Sequence, residues 1–176
     1  MTLKRLFIIL ILLLDAVLAR DALAETGSEA AVKSAFLYHF FKFIDWPEAA
    51  LQNNAMTLCT TNADHLGDSL LVLKTKTIGN RPILINRGIS IKELKNCQMV
   101  FISGSDDTDA IIKTTQGLPI ITISDKPGFI DQGGMIGLLQ GDNRLSFEIN
   151  LDAANAGSLH IGAQLLKLAK RVNNGK

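Results

Sequence analysis

Two cysteines carry the clearest chemistry in this sequence of 176 residues. An even number of cysteines in an exported chain favours a disulfide, because oxidising compartments keep thiols paired. Cys59 falls late in the first predicted strand and Cys97 at the start of the third, so parallel neighbouring strands must be offset for the two sulfur atoms to meet. We predict a Cys59–Cys97 disulfide, and two buried free thiols are the alternative.

The N-terminus indicates that the chain is exported. The basic pair Lys4-Arg5 precedes an unbroken apolar run, Leu6 to Leu14, which is shorter than the roughly 20 residues that a helix needs to span a bilayer. Ala22-Leu23-Ala24 fits the small-x-small cleavage pattern, so we predict a signal peptide over residues 1–24. An uncleaved N-terminal anchor is the alternative, and the end of the apolar run at Asp15 argues against it.

The mature chain, residues 25–176, is long enough for a sizeable core, and we predict a single domain without linkers or repeats. Cleavage removes three of the 18 Lys and Arg residues and two of the 17 Asp and Glu residues, so the mature chain is neutral. Its charges of both signs are dispersed along the sequence. This pattern gives no electrostatic footprint for nucleic acid or for an anionic membrane.

The three histidines do not predict a metal site. His39, His65 and His160 lie on three different predicted helices, and no pair has the spacing of metal ligands. A surface position, or an ordinary hydrogen bond, explains each of them. We therefore predict no metal and no cofactor.

Three motifs that can carry catalysis are incomplete. Ser103-Gly104-Ser105-Asp106 follows a predicted strand but lacks the G-x-S-x-G pattern of a nucleophile elbow, and it fits a helix N-terminus. Gly133 to Gly137 has neither the lysine of a P-loop nor dinucleotide spacing, and it precedes a strand rather than a helix. Glu148 falls on a predicted strand and Asp152 at a helix cap, which does not favour a catalytic carboxylate pair. No catalytic set assembles, and we predict that the protein is not an enzyme.

The first predicted helix is unusually aromatic, with four of the eight phenylalanines between positions 36 and 43. Three of them share one face, and the fourth belongs to a second apolar stripe beside it. A helix that is apolar over so wide an arc is either deeply buried or presents a patch to a partner. Core packing explains any single phenylalanine, whereas the helix as a whole indicates a partner surface. The predicted partner-binding residues, two of which lie beside the terminal helix, are Phe36, Phe40, Phe41, Phe43, Phe147 and Glu148.

Strands and helices alternate over most of the chain, which predicts an α/β fold with a mostly parallel sheet and helices on both faces. The predicted strands are Met56–Thr60, Arg81–Asn86, Gln98–Ile102 and Leu118–Ser124. The predicted helices run from Ser28 to about Ile44, from Asn62 to about Lys74, over a short segment opened by a capping box at Ser90, and from Asp106 or Asp107 to about Gln116.

The C-terminal part follows a different pattern. Asp125 to Gly134 is rich in Gly, Pro and Asp and predicts a loop. Met135–Leu139 and Arg144–Leu151 then flank a turn, which predicts an antiparallel hairpin. The positions Ile161, Leu165, Leu168, Ala169 and Val172 recur at helical spacing, and they predict one long terminal helix capped by Asp152.

Several sequence blocks are spread along nearly the whole mature chain. They are Ala35-Phe36-Leu37-Tyr38, Phe43, Trp46-Pro47, the pair Cys59 and Cys97, Gly134-Met135-Ile136, Phe147-Glu148-Ile149-Asn150-Leu151, Ala153-Ala154 and Leu165-Leu166-Lys167-Leu168-Ala169. Together these blocks resemble the YfiR family, whose members are secreted bacterial regulators. Any one block is weak, but their joint occurrence is specific. Some family members have a second cysteine pair near the end, which is absent here, so redox regulation through that pair does not carry over.

The resemblance implies a periplasmic α/β domain, often a homodimer, that binds the periplasmic part of an inner-membrane diguanylate cyclase and restrains it. A different class of protein is also open, namely a periplasmic small-ligand-binding module linked to an outer-membrane receptor or another sensor. An open parallel sheet offers such a module a crevice at its strand ends. Gene context separates the two, because an adjacent cyclase gene favours the regulator and an adjacent receptor gene favours the ligand-binding module.

Overall fold

A computed structural model of the protein describes residues 29–61, 64–103, 106–141 and 144–175. The predicted signal peptide over residues 1–24 and the helix starts predicted at Ser28 and Asn62 lie outside these ranges. Within the ranges, no helix combines the length and apolar composition that crossing a membrane requires.

In the part of the chain that the structure describes, ten strands form one large and one small sheet. They are β1 Ile44–Asp45, β2 Met56–Thr60, β3 Thr77–Ile78, β4 Arg81–Asn86, β5 Met99–Ile102, β6 Ile121–Ser124, β7 Ile136–Gly141, β8 Arg144–Asn150, β9 His160–Ile161 and β10 Arg171–Asn173. The large sheet has eight strands in the order β10-β8-β7-β6-β5-β2-β4-β3, and β1 pairs with β9 in the small one.

The helices are short except for the first. They are α1 (residues 29–43), α2 Thr108–Thr115, α3 Leu151–Ala156 and α4 Ala163–Leu168, with 3-10 helices at Glu48–Leu51, Gly67–Thr75, Ile91–Asn96 and Phe129–Gln132. The capping box predicted at Ser90 is present, with Glu93 returning to the Ser90 backbone, although it opens a 3-10 helix.

The predicted α/β class is confirmed. The pairs β4–β2, β2–β5, β5–β6 and β6–β7 are all parallel, and the predicted hairpin appears as the antiparallel pair β7–β8. Apolar side chains on alternate positions cover both faces of the sheet, because successive residues of a strand point to opposite sides. The larger cluster packs under α1, and the smaller one packs around Leu94, Ile111 and Phe129 on the other face.

The helix α1 runs across the face of the sheet that carries the larger cluster, from the carboxyl ends of the strands to their amino ends. Near its start, Lys33 donates to Asp125, which directly follows β6 at the carboxyl edge. Beyond its end, the indole Nε1 of Trp46 donates to the carbonyl of Gln98, at the amino edge beside β5 (3.1 Å). The Gln98 amide accepts from the Thr57 backbone at 2.8 Å, which ties this end to β2.

The prediction of one long terminal helix is wrong. The segment divides into α3, β9, α4 and β10, and the cap of α3 is Asn150, whose side chain accepts from Ala153, rather than Asp152. A continuous helix would break two sheet pairings, β9 with β1 and β10 with β8. The helical spacing survives only within α4, where Leu165 is buried but Leu168 is 72% exposed.

The structure places a disulfide between Cys59 in β2 and Cys97, with the two Cα atoms 6.0 Å apart. The offset required by the parallel pairing comes from the position of Cys97 before β5 begins, where it ends the 3-10 helix Ile91–Asn96. Within β5, the residue opposite Cys59 is Val100. The bridge lies in the smaller apolar cluster, on the face of the sheet away from α1.

Candidate partner-binding surface

The inner face of α1 supplies a large part of the core. Leu37, Phe40 and Phe41 on α1, and Ile44 directly after it, are all no more than 3% exposed, and they recur at the spacing of one helical face. This arc packs on the sheet residues of the larger cluster. The aromatic residues of the helix therefore divide into a buried set and an outward set.

Phe40 and Phe41 do not belong to a partner surface in this conformation. Their exposed fractions are 0% and 1%, because the arc that carries them faces the sheet. Phe147 and Glu148 are also buried, at 4% and 5%. Of the six predicted partner-binding residues, Phe36 and Phe43 remain partly exposed.

Phe36 and Phe43 belong to an outer stripe, which we define as Val32, Phe36, His39 and Phe43. Their spacing of three or four residues places them on one side of the helix, beside the arc that faces the sheet. Val32 is 41% exposed, and His39 is exposed between the two half-buried phenylalanines. The His39 ring stacks on Phe43 with the ring centres 6.4 Å apart and the planes at 15°.

The core holds Phe36 in a fixed orientation. Its ring centre lies 5.9 Å from that of Phe40 and 5.8 Å from that of Phe147. Phe40 and Phe147 meet edge to face at 5.3 Å, a favourable geometry for aromatic pairs. The structure thus brings three predicted residues together, with only Phe36 reaching the surface. An anchored ring loses little conformational freedom when a partner covers it.

Glu148 has a structural partner within the chain. It points to the face opposite Phe147, where the Nε atom of Arg171 donates to its carboxylate at 2.9 Å. Arg171 also donates to both carboxylate oxygens of Asp131, each at 2.8 Å. These hydrogen bonds lower the pKa of the Asp131 carboxyl and raise the pKa of Arg171. Glu148 therefore fastens β10 to β8 rather than facing a partner.

The sequence interpretation missed a buried charge on α1. Lys33 is 8% exposed, and its Nζ atom lies 2.6 Å from a carboxylate oxygen of Glu29 and 2.6 Å from one of Asp125. Burial alone would lower the pKa of Lys33, but the hydrogen bonds to Asp125 and Glu29 outweigh burial and raise it. The four-residue spacing of Glu29 and Lys33 was the available signal for this ion pair.

The described residues hold no group of three His, Cys, Asp or Glu side chains that is arranged to bind a metal ion. Ser103 and Asp106, the two ends of the incomplete catalytic motif, make structural contacts with Thr61. The Thr61 hydroxyl donates to Asp106, and the backbone of Ser103 donates to the Thr61 hydroxyl at 3.2 Å.

A family model described as YfiR/HmsC-like matches residues 30–170 of the chain. Two solved structures are similar over part of their length. A conserved domain protein from Vibrio cholerae O1 biovar El Tor is 10% identical, with a TM-score of 0.47 over 67% of this chain and 54% of that one. An ABC domain from Streptococcus pneumonia, in complex with L-Trp, is 13% identical, with a TM-score of 0.45 over 70% of this chain and 57% of that one. The chain thus spans little more than half the length of either structure.

The fold and the outer stripe define an α/β protein that presents an aromatic helix to its surroundings. The family match covers most of the chain, from α1 to the residue before β10. The chain belongs to the YfiR/HmsC-like family. The YfiR/HmsC-like family is a family of periplasmic regulators of cyclic di-GMP signalling.

Proposed function

We propose that the protein restrains a membrane-bound diguanylate cyclase by binding the periplasmic part of the cyclase through the outer stripe of α1. The observation that supports this proposal most directly is the exposure of Val32, together with the partial exposure of Phe36 and Phe43, on a helix whose inner face already packs in the core. Aromatic side chains contribute a large share of the binding energy in protein interfaces.

The electrostatic character of this surface favours a protein partner with an apolar contact. Beside the stripe, the Lys42 ammonium lies 5.8 Å from the centre of the Tyr38 ring, so a cation and a polar ring border the apolar residues. An apolar centre with a polar rim is the usual anatomy of a protein interface. A second copy of the chain would compete for the same stripe, so a homodimer that buries α1 would exclude the cyclase.

Inhibition sets a thermodynamic requirement on this interface. A regulator shifts a partner between two states only by the difference in its affinity for them. Moving a cyclase from mostly active to mostly inactive requires binding the inactive state about 10⁴-fold more tightly. The outer stripe must therefore fit a surface that the active cyclase changes or hides.

Export and a single-domain organisation would both fit this role. We propose that residues 1–24 are removed on export, so that the mature protein begins at Glu25 in the periplasm. We propose further that residues 25–176 act as one unit. Mass spectrometry of protein released by osmotic shock would give the mass of the chain that starts at Glu25.

The decisive experiment is genetic. Deleting the gene should raise cellular cyclic di-GMP, and the rise should disappear when the partner cyclase is also deleted. Cross-linking from α1, through a photoreactive residue placed at Val32, should capture the cyclase in the membrane fraction. Unchanged cyclic di-GMP together with no captured cyclase would contradict the proposal and favour the small-ligand-binding module.

A further inference from the structure

The end of the large sheet at β3 carries an exposed segment that is both apolar and basic. In the 3-10 helix Gly67–Thr75, Leu70 and Leu73 are buried in the larger apolar cluster. The two residues between them, Leu71 and Val72, point outward and are 46% and 61% exposed. Exposed apolar side chains that lie together, rather than singly, indicate a surface that binds a partner or a membrane.

Three cations follow these two residues, and the sequence up to position 81 contains no Asp or Glu. Lys74 and Lys76 are exposed, on the 3-10 helix and directly before β3. Arg81 begins β4 and points to the same face of the sheet as the helix, because it lies two residues before Ile83 of the larger cluster. We define the basic edge as Leu71, Val72, Lys74, Lys76 and Arg81.

The cations of the basic edge form no ion pair with the residues that the structure describes, whose salt bridges involve other cations. The Nε atom of Arg81 is buried and has no acceptor among the same residues. Asp68, on the same 3-10 helix, is the closest acidic residue in sequence, and the next one, Asp64, is paired with Arg87. The segment therefore keeps a net positive charge, which the neutral total charge of the mature chain does not reveal.

We propose that the basic edge docks the protein onto a bilayer that contains anionic phospholipids. Lys74, Lys76 and Arg81 would lie among the lipid phosphates, because each cation close to an anionic membrane surface strengthens binding. Leu71 and Val72 would enter the boundary between the headgroups and the acyl chains, where apolar side chains leave water. An acidic protein segment would also neutralise the cations, but acidic residues offer no apolar surface to cover the aliphatic pair.

Docking through the basic edge would bring the protein to its partner, a consequence that rests on the proposed function. The 3-10 helix Gly67–Thr75 and α1 pack on the same face of the sheet, and no residue of the outer stripe belongs to the basic edge. A docked protein would thus keep the outer stripe free for a cyclase in the same inner membrane. Two linked contacts raise the effective concentration of the second one, so weak lipid binding would strengthen recognition.

The test measures binding of the purified mature protein to lipid vesicles by co-sedimentation. The probe is a vesicle of equal parts phosphatidylglycerol and phosphatidylcholine, and vesicles of phosphatidylcholine alone are the neutral comparison. We expect saturable binding to the anionic vesicles, at least tenfold weaker binding to the neutral ones, and release as the salt concentration rises, because salt screens exposed charges. No binding to the anionic vesicles, or equal binding to both kinds, would overturn the proposal.

A pair of double variants tests whether the cations act through their position. Lys74→Gln with Lys76→Gln should weaken binding to the anionic vesicles at least tenfold. The control is Lys167→Gln with Lys170→Gln, which removes the same charge from two exposed lysines beside Leu168, a residue that is 72% exposed. Equal losses in the two double variants would show that binding follows total charge, and would overturn the proposal.

The aliphatic pair is tested with all charges kept. Leu71→Gln should weaken binding to the anionic vesicles about fivefold, whereas Leu84→Gln, at a 50% exposed leucine on the opposite face of β4, should not. Unchanged affinity in Leu71→Gln, or complete displacement of the wild type by soluble polyglutamate at the same concentration of charge, would make an acidic protein segment the occupant instead. The assay contains no cyclase, so its failure leaves the proposed function intact, and a cyclase that ignores the protein leaves lipid binding intact.

Discussion

The guanidinium of Arg171 lies between two elements, with the Glu148 carboxylate on β8 at 2.9 Å and the Asp131 carboxylate on a 3-10 helix at 2.8 Å. Arg171 and Glu148 are also partners in register across the parallel pair β10–β8. The ion pair therefore connects the same two positions that the backbone pairing brings together. The residue that the sequence assigned to a partner surface is a structural anchor for the last strand.

Replacing Arg171 with Ala should destabilise the fold. Glu148 would keep a buried carboxylate without its charged donor, and an unsatisfied buried group costs about 1–3 kcal/mol. Urea denaturation should show a loss of that order. Arg144→Ala, at an exposed arginine on the same strand β8, serves as the control and should change the free energy of unfolding by less than about 0.5 kcal/mol. Equal effects of the two substitutions would contradict a structural role for Glu148.

A charge in the outer stripe should abolish recognition without affecting the fold. Val32→Glu places a carboxylate on the exposed face of α1, where glutamate is a good helix former. We expect at least a tenfold loss of affinity for the periplasmic part of the cyclase, measured by titration calorimetry. Val72→Glu is the matched control, because Val72 is a 61% exposed valine on the 3-10 helix Gly67–Thr75. A similar loss in both variants would show that any added charge is harmful and that α1 has no special role.

The Cys59–Cys97 disulfide should be the only one in the protein and should contribute strongly to stability. The two cysteines are 38 residues apart, and closing a loop of that length stabilises by about 3–4 kcal/mol on the chain-entropy model. Non-reducing peptide mapping should recover one linked pair of peptides. A reducing agent should lower the free energy of unfolding of the wild type but not that of a Cys59→Ser, Cys97→Ser double variant. Two alkylatable thiols in freshly isolated protein would contradict this prediction.

A substitution at Gly157 distinguishes the divided terminal segment of the structure from the continuous helix that the sequence predicted. In the structure, a Cβ atom at Gly157 would lie 2.4 Å from the Leu118 carbonyl oxygen, so Gly157→Ala should destabilise by about 1–3 kcal/mol. In a continuous, solvated helix the same change would stabilise by about 1 kcal/mol. Thermal denaturation would show whether Gly157→Ala lowers or raises the stability of the protein. Gly141→Ala, where the nearest atom would lie at 3.4 Å, is the milder control.

Asp64 should make stability depend on pH in the acid range. Burial alone would raise the pKa of Asp64, but hydrogen bonds from Arg87 and Thr60 outweigh burial and lower it below 3.8. The folded state then binds a proton less tightly than the unfolded state, so this stabilisation is present above the unfolded pKa and is lost as the pH falls through the folded one. The Asp64→Asn variant should have a lower free energy of unfolding than the wild type at about pH 7. This difference between the two proteins should become smaller towards about pH 2.5. A gap that is constant with pH would rule out this linkage.

The central strands could be predicted from the sequence because their burial leaves a local signature. Arg81–Asn86 matches the structure although only Ile83 within it is buried. Among the buried strands, Met56–Thr60 matches the structure, and the predictions around β5 and β6 differ from it only at the first residues. These segments are short apolar runs bounded by turn or cap residues, so the neighbours that cover them need not be known.

The terminal segment and the site could not be predicted in the same way. The spacing of Leu165 and Leu168 fits a helix, but the close approach of Gly157 to Leu118 and the pairing of β9 with β1 involve residues that are distant in sequence. Which phenylalanines are buried and which are partly exposed also depends on which arc of α1 contacts the sheet. Periodicity identifies an apolar arc, but it does not say which part of a wide arc is covered.

The sheet lies between the disulfide and the helix that we assign to recognition. The Cys59–Cys97 bridge packs with Leu94, Val100 and Ile102, whereas Phe40 and Phe41 of α1 pack on the opposite face. A reductant that opens the bridge thus weakens a layer that never touches the outer stripe. Reduction of the disulfide would therefore make the protein more susceptible to periplasmic proteases before it changed the surface that a partner binds. Its effect in the cell would be a lower concentration of the regulator.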